Sequence, residues 1–391
     1  MNAYYTNKTT KVSGSFQDLD HTDSNVSGSY KLPSGNTIGT GLLPSQFGIG
    51  AKTRQNDLDV AFQFSFFTGS SQGTGGNLQT GNNTLNIRQA YLTFGDKSWG
   101  TIKMGRDLGV FGSDAILSDM TLLGVGVSGT PNSAAGGNST LGRIGSGYIY
   151  ANWYGQAQYQ SPNFNGFQVT AAVQEGAGAA AAAGHNMGFA GKATYDFAMN
   201  DVTGRVWVGG ITQKTGDLGY TSSGAEIGAK AHASGFELVG YYYDGRGLDS
   251  QFASNDVNLS RDSGSAAAIG TGGILNNSGM KTDDNGGYVQ LTYVLPTKTK
   301  IGASWGQNES EIGYGTHIND SEYDRGSAKI KNESWVVGAY HPLTKHLNLV
   351  AEYTRQEIKA DANTAFYNHP DHQYNGKIES DTVSLGAILF F

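Results

Sequence analysis

The sequence contains no cysteine and only 7 prolines among 391 residues, and its charged fraction is 15%. An average soluble domain has about 25% charged residues. Without cysteine the chain has no disulfide framework, no thiolate metal site and no cysteine nucleophile. No apolar run approaches about 18 residues, the length that a membrane-spanning helix needs. The net charge of -7 argues against a general nucleic-acid-binding protein.

Motifs of catalysis and cofactor binding are also missing from the sequence. It has no GxSxG elbow, HExxH pair, P-loop or EF-hand loop, so we expect no catalytic residues, no cofactor and no metal. The alternatives are a divalent metal at His369, Asp371 and His372, and calcium at 281–287, although solvated loops are favoured at both places. The start of the chain has no apolar signal-peptide core, which suggests a mature exported form with an added Met1.

The sequence is rich instead in glycine, with 58 residues, and in tyrosine, with 21. It also has a repeated alternation of apolar and polar residues. In the stretch NDLDVAFQFSFFTG, apolar side chains occupy every second position from Leu58 to Phe66. This period of two predicts β-strands with one wholly apolar face. The pattern recurs along the chain and predicts about 16 strands of about 9–11 residues, the length of a tilted strand that crosses a bilayer.

The predicted connections alternate strictly between short and long. Such alternation is typical of an up-and-down barrel in an outer membrane, with short periplasmic turns and long outer loops. The short connections lie around Asn56 and at 95–99, 161–165, 198–201, 233–235, 296–299 and 342–346. The long ones lie at 20–45, 69–83, 108–152, 177–185, 215–222, 246–284, 309–330 and 359–377. We therefore predict one all-β, transmembrane, antiparallel up-and-down barrel domain over residues 1–391.

The stretch IRQAYLTFGDKSWGTIKMGRDLGVFGSD (87–114) resembles a signature of the trimeric bacterial general porins. In that family an arginine-containing strand is followed by a tight turn, a GxxxxGR strand and a long loop. The terminal Phe391 is similar to the family's assembly signal. The resemblance implies a Gram-negative outer-membrane channel, a homotrimer, and contact with outer-membrane lipid and lipopolysaccharide. Within the family, the dicarboxylate-type porins are the subfamily that we consider.

The apolar face of each strand must point to lipid, because a basic residue there at mid-bilayer costs roughly 2–4 kcal/mol. Residues of the opposite phase should then line the pore. With Ile87, Gln89 and Tyr91 outward, Arg88 points inward. The same reasoning, strand by strand, predicts a basic inner wall made of Lys52, Arg54, Arg88, Lys103, Lys192, Arg205 and Lys230. The alternative is that these are ordinary solvated wall residues whose charge is offset by acids on the loops.

The connection at 108–152 is too apolar for a loop in free solvent, since Leu117, Met120, Leu122 and Leu123 need cover. We predict that this third long loop folds into the barrel and narrows it. Asp114 and Asp119 would then face Arg54, Arg88 and Lys103 across the opening, and Arg143 is a further candidate. Arg106 shares the outward phase of Ile102 and Met104, which places it at a subunit interface in this reading.

The sequence thus predicts a passive, water-filled outer-membrane diffusion channel for small hydrophilic solutes, favouring anionic ones. Two alternatives stay open: a substrate-specific carboxylate channel, and a closed-barrel adhesin or receptor that uses its long outer loops.

Overall fold

The computed structural model describes residues 1–17, 25–69, 85–128, 139–176, 186–214, 221–248, 281–312, 328–363 and 373–391. One antiparallel sheet of 17 strands accounts for most of this part of the chain. No helix in these ranges is long and apolar enough to span a membrane. The strands are β1 (Asn2–Gln17), β2 (Asn25–Gly39), β3 (Ser45–Gln55), β4 (Leu58–Thr68), β5 (Asn86–Asp96), β6 (Gly100–Leu108), β7 (Trp153–Gln160), β8 (Phe167–Glu175), β9 (Met187–Met199), β10 (Val202–Lys214), β11 (Thr221–Ala233), β12 (Phe236–Arg246), β13 (Asp283–Val294), β14 (Lys300–Ile312), β15 (Ala328–Pro342), β16 (Leu347–Asn363) and β17 (Gln373–Leu389).

The sheet is an up-and-down barrel in which each strand from β3 to β17 pairs with the next one along the chain. β17 then pairs with β1, and β1 with β2. Among the described residues no ladder joins β2 to β3. This seam is bridged by Asn2, whose backbone N–H donates to Ser45 Oγ at 3.1 Å and whose side-chain amide donates to the Leu43 carbonyl at 2.8 Å.

The predicted architecture is confirmed, with one difference near the start of the chain. The sequence predicts a long connection over 20–45, whereas the structure places strand β2 within it. Polar and glycine-rich segments such as NVSGSYKLPSGNTIG lack a clear alternation, so their pairing with β1 is not evident from the pattern. The described residues therefore form 17 strands, against about 16 predicted.

The short turns that join successive strands from β3 to β16 lie at the end of the barrel where the chain terminates. Several contain residues that tolerate positive φ, among them Asn56 (φ 49) and Asp57 (φ 62) between β3 and β4. Two consecutive positive φ angles are what a two-residue type I′ hairpin turn requires. At the same end Phe391 stacks on the His346 ring with centroids 5.9 Å apart. The strand ends that precede and follow the long connections lie at the opposite end, because paired strands are antiparallel.

The outward face of the barrel carries an apolar band with a charged rim above it. On β15 and β16, Trp335, Val337 and Leu349 are exposed on this face. Toward the long connections the same face becomes charged: Arg355 Nη2 lies 2.8 Å from Glu379 Oε1, and Trp305 Nε1 donates to Glu333 Oε1 at 3.0 Å. Rings followed by charges mark the level at which a bilayer passes from hydrocarbon to headgroups.

The described parts of the inner loop, residues 109–128 and 139–152, fill part of the barrel interior. The loop contains the short helix α1 (Ser113–Ser118) and a 3-10 turn (Met120–Leu123). Its apolar residues pack on inner-face aromatic residues of the wall. The resulting cluster includes Val110, Phe111, Ala115, Ile116, Leu141, Ile144, Tyr148 and Ile149 of the loop and Trp207, Ile211, Tyr241, Tyr243 and Tyr288 of the wall. Each large side chain buried in this way contributes about 1.5–3 kcal/mol. The predicted inward fold of the loop is therefore confirmed.

We expect Val206→Lys, on the lipid side of β10, to lower the free energy of unfolding in vesicles by about 2–4 kcal/mol, because an ammonium group would lie in hydrocarbon. Thr203→Lys, on the inner face of the same strand, is the matched control and should change it little. Denaturant titration of the reconstituted barrel measures both, and equal losses for the two variants would contradict the assigned faces.

Candidate functional site within the barrel

Two buried wall glutamates hold the inner loop in place. Glu226 of β11 accepts the backbone N–H of Gly112 at 2.9 Å and the hydroxyl of Tyr241 at 2.8 Å through the same oxygen, Oε2. Gly112 has φ 78, which favours glycine, and it precedes the first residue of α1. Glu226 thus fixes the point at which the loop enters the barrel.

Glu352 of β16 holds the loop further along. Its Oε2 accepts the backbone N–H groups of Val125 and Gly126 at 2.9 and 2.7 Å, and its Oε1 accepts the hydroxyl of Tyr340 at 2.6 Å. A Cβ at Gly124 would meet this carboxylate, so only glycine fits beside it. The loop is therefore tied by carboxylates on two distant parts of the wall.

Helix α1 brings an acid to the basic wall of β9 and β10. Asp114 pairs with Lys192 Nζ at 2.5 Å and with Arg205 Nη1 at 3.1 Å. Arg205 also forms a bidentate pair with Asp196, at 2.6 and 2.8 Å. The sequence predicts that Asp114 faces Arg54, Arg88 and Lys103. This pairing is wrong, because α1 packs against the far wall, where Lys192 and Arg205 meet its carboxylate directly.

Asp119 lies inside the loop instead of facing an opening. Its carboxylate accepts the backbone N–H and hydroxyl of Thr121 and, at 2.7 Å, the hydroxyl of Tyr148. Burial raises the pKa of Tyr148 well above its ordinary value, and the nearby Asp119 carboxylate acts in the same direction. Asp119 therefore organises the 3-10 turn, and the predicted placement across from the basic wall is wrong.

Arg143 is the most deeply buried of the predicted pore residues, with an exposed fraction of 0%. Its Nη1 donates to the carbonyl and hydroxyl of Ser334 at 3.2 and 3.0 Å. Burial lowers the pKa of its guanidinium, and the Asp119 carboxylate acts in the opposite direction. Arg143 joins the inner loop to β15 and has no surface on the lumen.

The wall formed by β3–β6 carries its own paired charges. Arg54 lies 2.8 Å from Asp59 and 2.8 Å from Asp96, close to the short turns. Lys103 pairs with Asp107 at 2.6 Å and lies over the Tyr91 ring, 4.9 Å from its centroid. On this wall each of these cations is thus balanced by at least one acid.

A β-bulge in β5 exchanges the inward and outward positions of the residues that follow it, relative to the prediction from the sequence. Ser65 pairs with Gln89 and Phe66 with Ile87, which leaves Arg88 as the extra residue. Gln89 accordingly points inward, where it accepts from Ser65 and donates to Asp107. The predicted outward orientation of Gln89 and Tyr91 is wrong for this reason. Arg88 is buried over the Phe67 and Trp153 rings, 5.0 and 5.9 Å from their centroids.

Three inner-face lysines, Lys52, Lys230 and Lys300, have no carboxylate within 4.0 Å among the described residues. Lys300, which the sequence reading missed, lies over the Tyr340 ring at 4.9 Å. Among the inner-face acids of the described strands, Glu237 alone lacks a hydrogen-bonded or ionic partner. The unpaired charges of the inner wall are thus mainly positive.

A sheet with an apolar outer face, a polar inner face and an inner loop tied to the wall is the architecture of a membrane channel. Residues 3–361 match the family model of the Gram-negative porins. The chain belongs to this family. No curated protein sequence matches the chain. This porin is therefore a diffusion channel of the bacterial outer membrane.

Solved porin structures share this fold across nearly the whole chain. The anion-selective porin from Comamonas acidovorans is 14% identical with a TM-score of 0.58, and the match covers 100% of this chain and 98% of that one. The outer membrane channel DcaP of Acinetobacter baumannii is 15% identical with a TM-score of 0.54, covering 98% and 96%. At these identities the likeness establishes the fold alone.

Other predicted residues of the porin lie outside its lumen or outside the described ranges. Arg106 is exposed on the outward face of β6, opposite Ala90 of β5. Leu117 and Leu123 stay exposed, whereas Met120 is buried, so only part of the predicted apolar set gains cover. His369, Asp371 and His372 lie outside the described residues. Within 281–287, Asp284 accepts from Leu248, Thr282 and Ser310, and Asp283 pairs with Arg246.

The sequence predicts the inward orientation of Glu226 and Glu352, the two glutamates that hold the inner loop, but not their partners. Their phase places them on the inner face, but the amide groups that they bind come from a loop far away in sequence. No group of three or more metal-ligating side chains occurs in the described part of the porin.

We expect Glu352→Ala to loosen the inner loop, because the N–H groups of Val125 and Gly126 lose their acceptor at about 1–3 kcal/mol for each orphaned donor. Single-channel recording should then show frequent steps between conductance levels that the parent porin lacks. Glu357→Ala, which removes a carboxylate from the outward charged rim, is the control and should give channels without these conductance steps. Quiet Glu352→Ala channels of unchanged conductance would contradict the anchoring role.

Proposed function

We propose that this porin passes small hydrophilic solutes by diffusion and favours anionic ones, without catalysis and without a cofactor. The observation that carries the proposal is the imbalance of unpaired charge on the inner wall. Lys52, Lys230 and Lys300 lack carboxylate partners, against Glu237 alone among the acids of the described strands. Paired charges cancel at a distance, so the unpaired ones set the sign of the field that a solute meets.

The field of the wall charges acts on a solute because the inner loop narrows the passage. At physiological salt the Debye length is about 8 Å, so wall charges in a wide lumen are largely screened. They act on a solute only where the passage brings it within a few ångström. We propose that residues 1–391 form one barrel domain and that its loop at 108–152 is the constriction. The exposed side chains of Leu117 and Leu123 on the loop support this role.

The acidic and basic residues of the passage are not arranged as an acidic side that faces a basic side. We propose that Lys52, Arg54 and Lys103 on one wall and Lys192, Arg205 and Lys230 on the other contact passing solutes, with Asp114 of the loop paired to Lys192 and Arg205. Arg88, Asp119 and Arg143 support the passage from buried positions. The Comamonas acidovorans relative of similar fold is an anion-selective porin, which agrees with this proposal.

Assembly and lipid contacts belong to the same proposal. We propose a homotrimer in which Arg106 lies at the subunit interface, because an exposed guanidinium beside Met104 on the apolar face is costly in lipid. The charged rim above Trp335 is placed to meet outer-membrane headgroups, including lipopolysaccharide. Phe391 is proposed as the assembly signal.

We expect the double variant Lys52→Gln, Lys230→Gln to lower the chloride-to-potassium permeability ratio on the order of twofold, since two unpaired positive charges leave the inner wall. The reversal potential of reconstituted channels in a potassium chloride gradient measures this ratio. Lys331→Gln, which removes a lysine from the outward rim, is the control and should leave it unchanged. A parent channel that prefers potassium would refute the anion preference.

Arg106→Ala should lower the temperature at which the trimer dissociates on detergent gels, because the side chain would no longer bind the neighbouring subunit. Arg355→Ala removes an outward arginine at the charged rim and should leave the dissociation temperature near that of the parent. Equal behaviour of the two variants would argue against an interface at Arg106.

A further inference from the structure

A cavity of about 470 Å³ opens on the inner wall between β9 and β12, close to the short turns. It lies below the contact between α1 and the wall. Its lining comes from four neighbouring strands, and its polar side chains have the phase that faces away from lipid. The polar ones are Asp196, Thr203, Arg205, Lys230, His232 and Glu237.

The charges around this cavity divide into a saturated pair and two groups without a direct ionic contact, Lys230 and Glu237, and Lys300 lies within electrostatic reach of Glu237. Arg205 is held by the bidentate contact with Asp196 and by Asp114. Lys230 and Glu237 are not within 4.0 Å of each other or of any other opposite charge in the described residues. Each is accessible to water in the lumen.

The strand register places these two groups close together on one face, although their charged atoms make no direct contact. Lys230 lies opposite Val239, and Glu237 lies opposite His232. Lys230 and Glu237 are thus diagonal neighbours on one face, with α-carbons about 7–8 Å apart. This spacing leaves room between an ammonium and a carboxylate for a small solute that carries both signs of charge.

We propose that this cavity is a binding subsite for small zwitterions of the α-amino-acid type. The solute's carboxylate binds Lys230 and its ammonium group binds Glu237, while the Thr203 hydroxyl and the His232 imidazole offer hydrogen bonds nearby. A simple anion satisfies Lys230 but meets repulsion from Glu237, and a simple cation meets the reverse. The subsite therefore selects by charge separation within one solute, which the net anion preference of the channel does not provide. The inference rests on the proposed function in needing an open lumen.

Alanine, propionate and ethylammonium form a matched set of probes of nearly equal size. We expect alanine to reduce the single-channel current in a saturable way, and at lower concentration than propionate or ethylammonium. Lys230→Gln and Glu237→Gln should each weaken the alanine block by about tenfold. The charge-reversed double variant Lys230→Glu, Glu237→Lys should retain it, because the two charges exchange places. Heat-modified gel mobility establishes that each variant is a folded barrel.

Lys331→Gln is the control, because it removes a lysine from the outward rim and should leave the alanine block unchanged. Propionate blocking as well as alanine, or Glu237→Gln blocking like the parent, would overturn the subsite. So would loss of the alanine block in the folded double variant. The reversal potential without alanine tests the proposed function separately: a potassium-selective channel with an intact alanine block would refute the anion preference and leave this subsite standing.

Discussion

The whole structure depends on the requirement that no backbone N–H or C=O group be left unpaired in hydrocarbon. An antiparallel sheet wrapped into a barrel meets it, because every described strand except β2 and β3, at the seam, hydrogen-bonds to two neighbours. The alternation of side chains then follows, since successive residues of a strand point to opposite faces. Val206 and Val208 face outward while Thr203 and Arg205 face the lumen, although all four belong to one strand. The same alternation gives the barrel an apolar outer face that contacts lipid and a polar inner face that water can contact.

The interior raises a second requirement, which the inner loop meets. A chain segment inside a barrel needs partners for its own backbone groups. Glu226 and Glu352 provide acceptors for three loop N–H groups, and wall tyrosines share the same carboxylates. Burying a carboxylate costs free energy unless hydrogen bonds compensate for the lost hydration. These glutamates therefore stabilise the fold only where N–H groups of the loop donate to them. The narrowing of the channel and the stability of the loop therefore depend on the same contacts.

The period of two was sufficient to predict the fold, because lipid imposes one strict rule on every strand. It also placed Arg205, Lys192 and Lys230 on the inner face. It failed at Gln89 and Tyr91, because a bulge adds Arg88 as one extra residue to β5 and no local pattern marks it. It failed for β2, whose glycine-rich and polar residues do not alternate clearly.

The pairing of charges inside the barrel was beyond prediction from the sequence for another reason. Whether Asp114 meets Lys103 or Lys192 depends on which wall the inner loop packs against, and that is decided by apolar contacts distant in sequence. Arg143 illustrates the same limit, because its burial against Ser334 brings together residues 191 positions apart. Strand phase gives the face on which a residue lies, whereas the fold of the loop gives its partner.

The most direct test of the central claim is a series of single-cysteine variants along β10. The sequence contains no cysteine, so only the introduced thiol can react. In vesicles, cysteines at Thr203 and Arg205 should react with a charged, water-soluble maleimide. Cysteines at Val206 and Val208 should resist it, and fluorophores attached there before reconstitution should be quenched by lipid-borne spin labels. Equal reaction at the two sets of positions would mean that this strand does not separate lipid from a water-filled interior, and the account would be wrong.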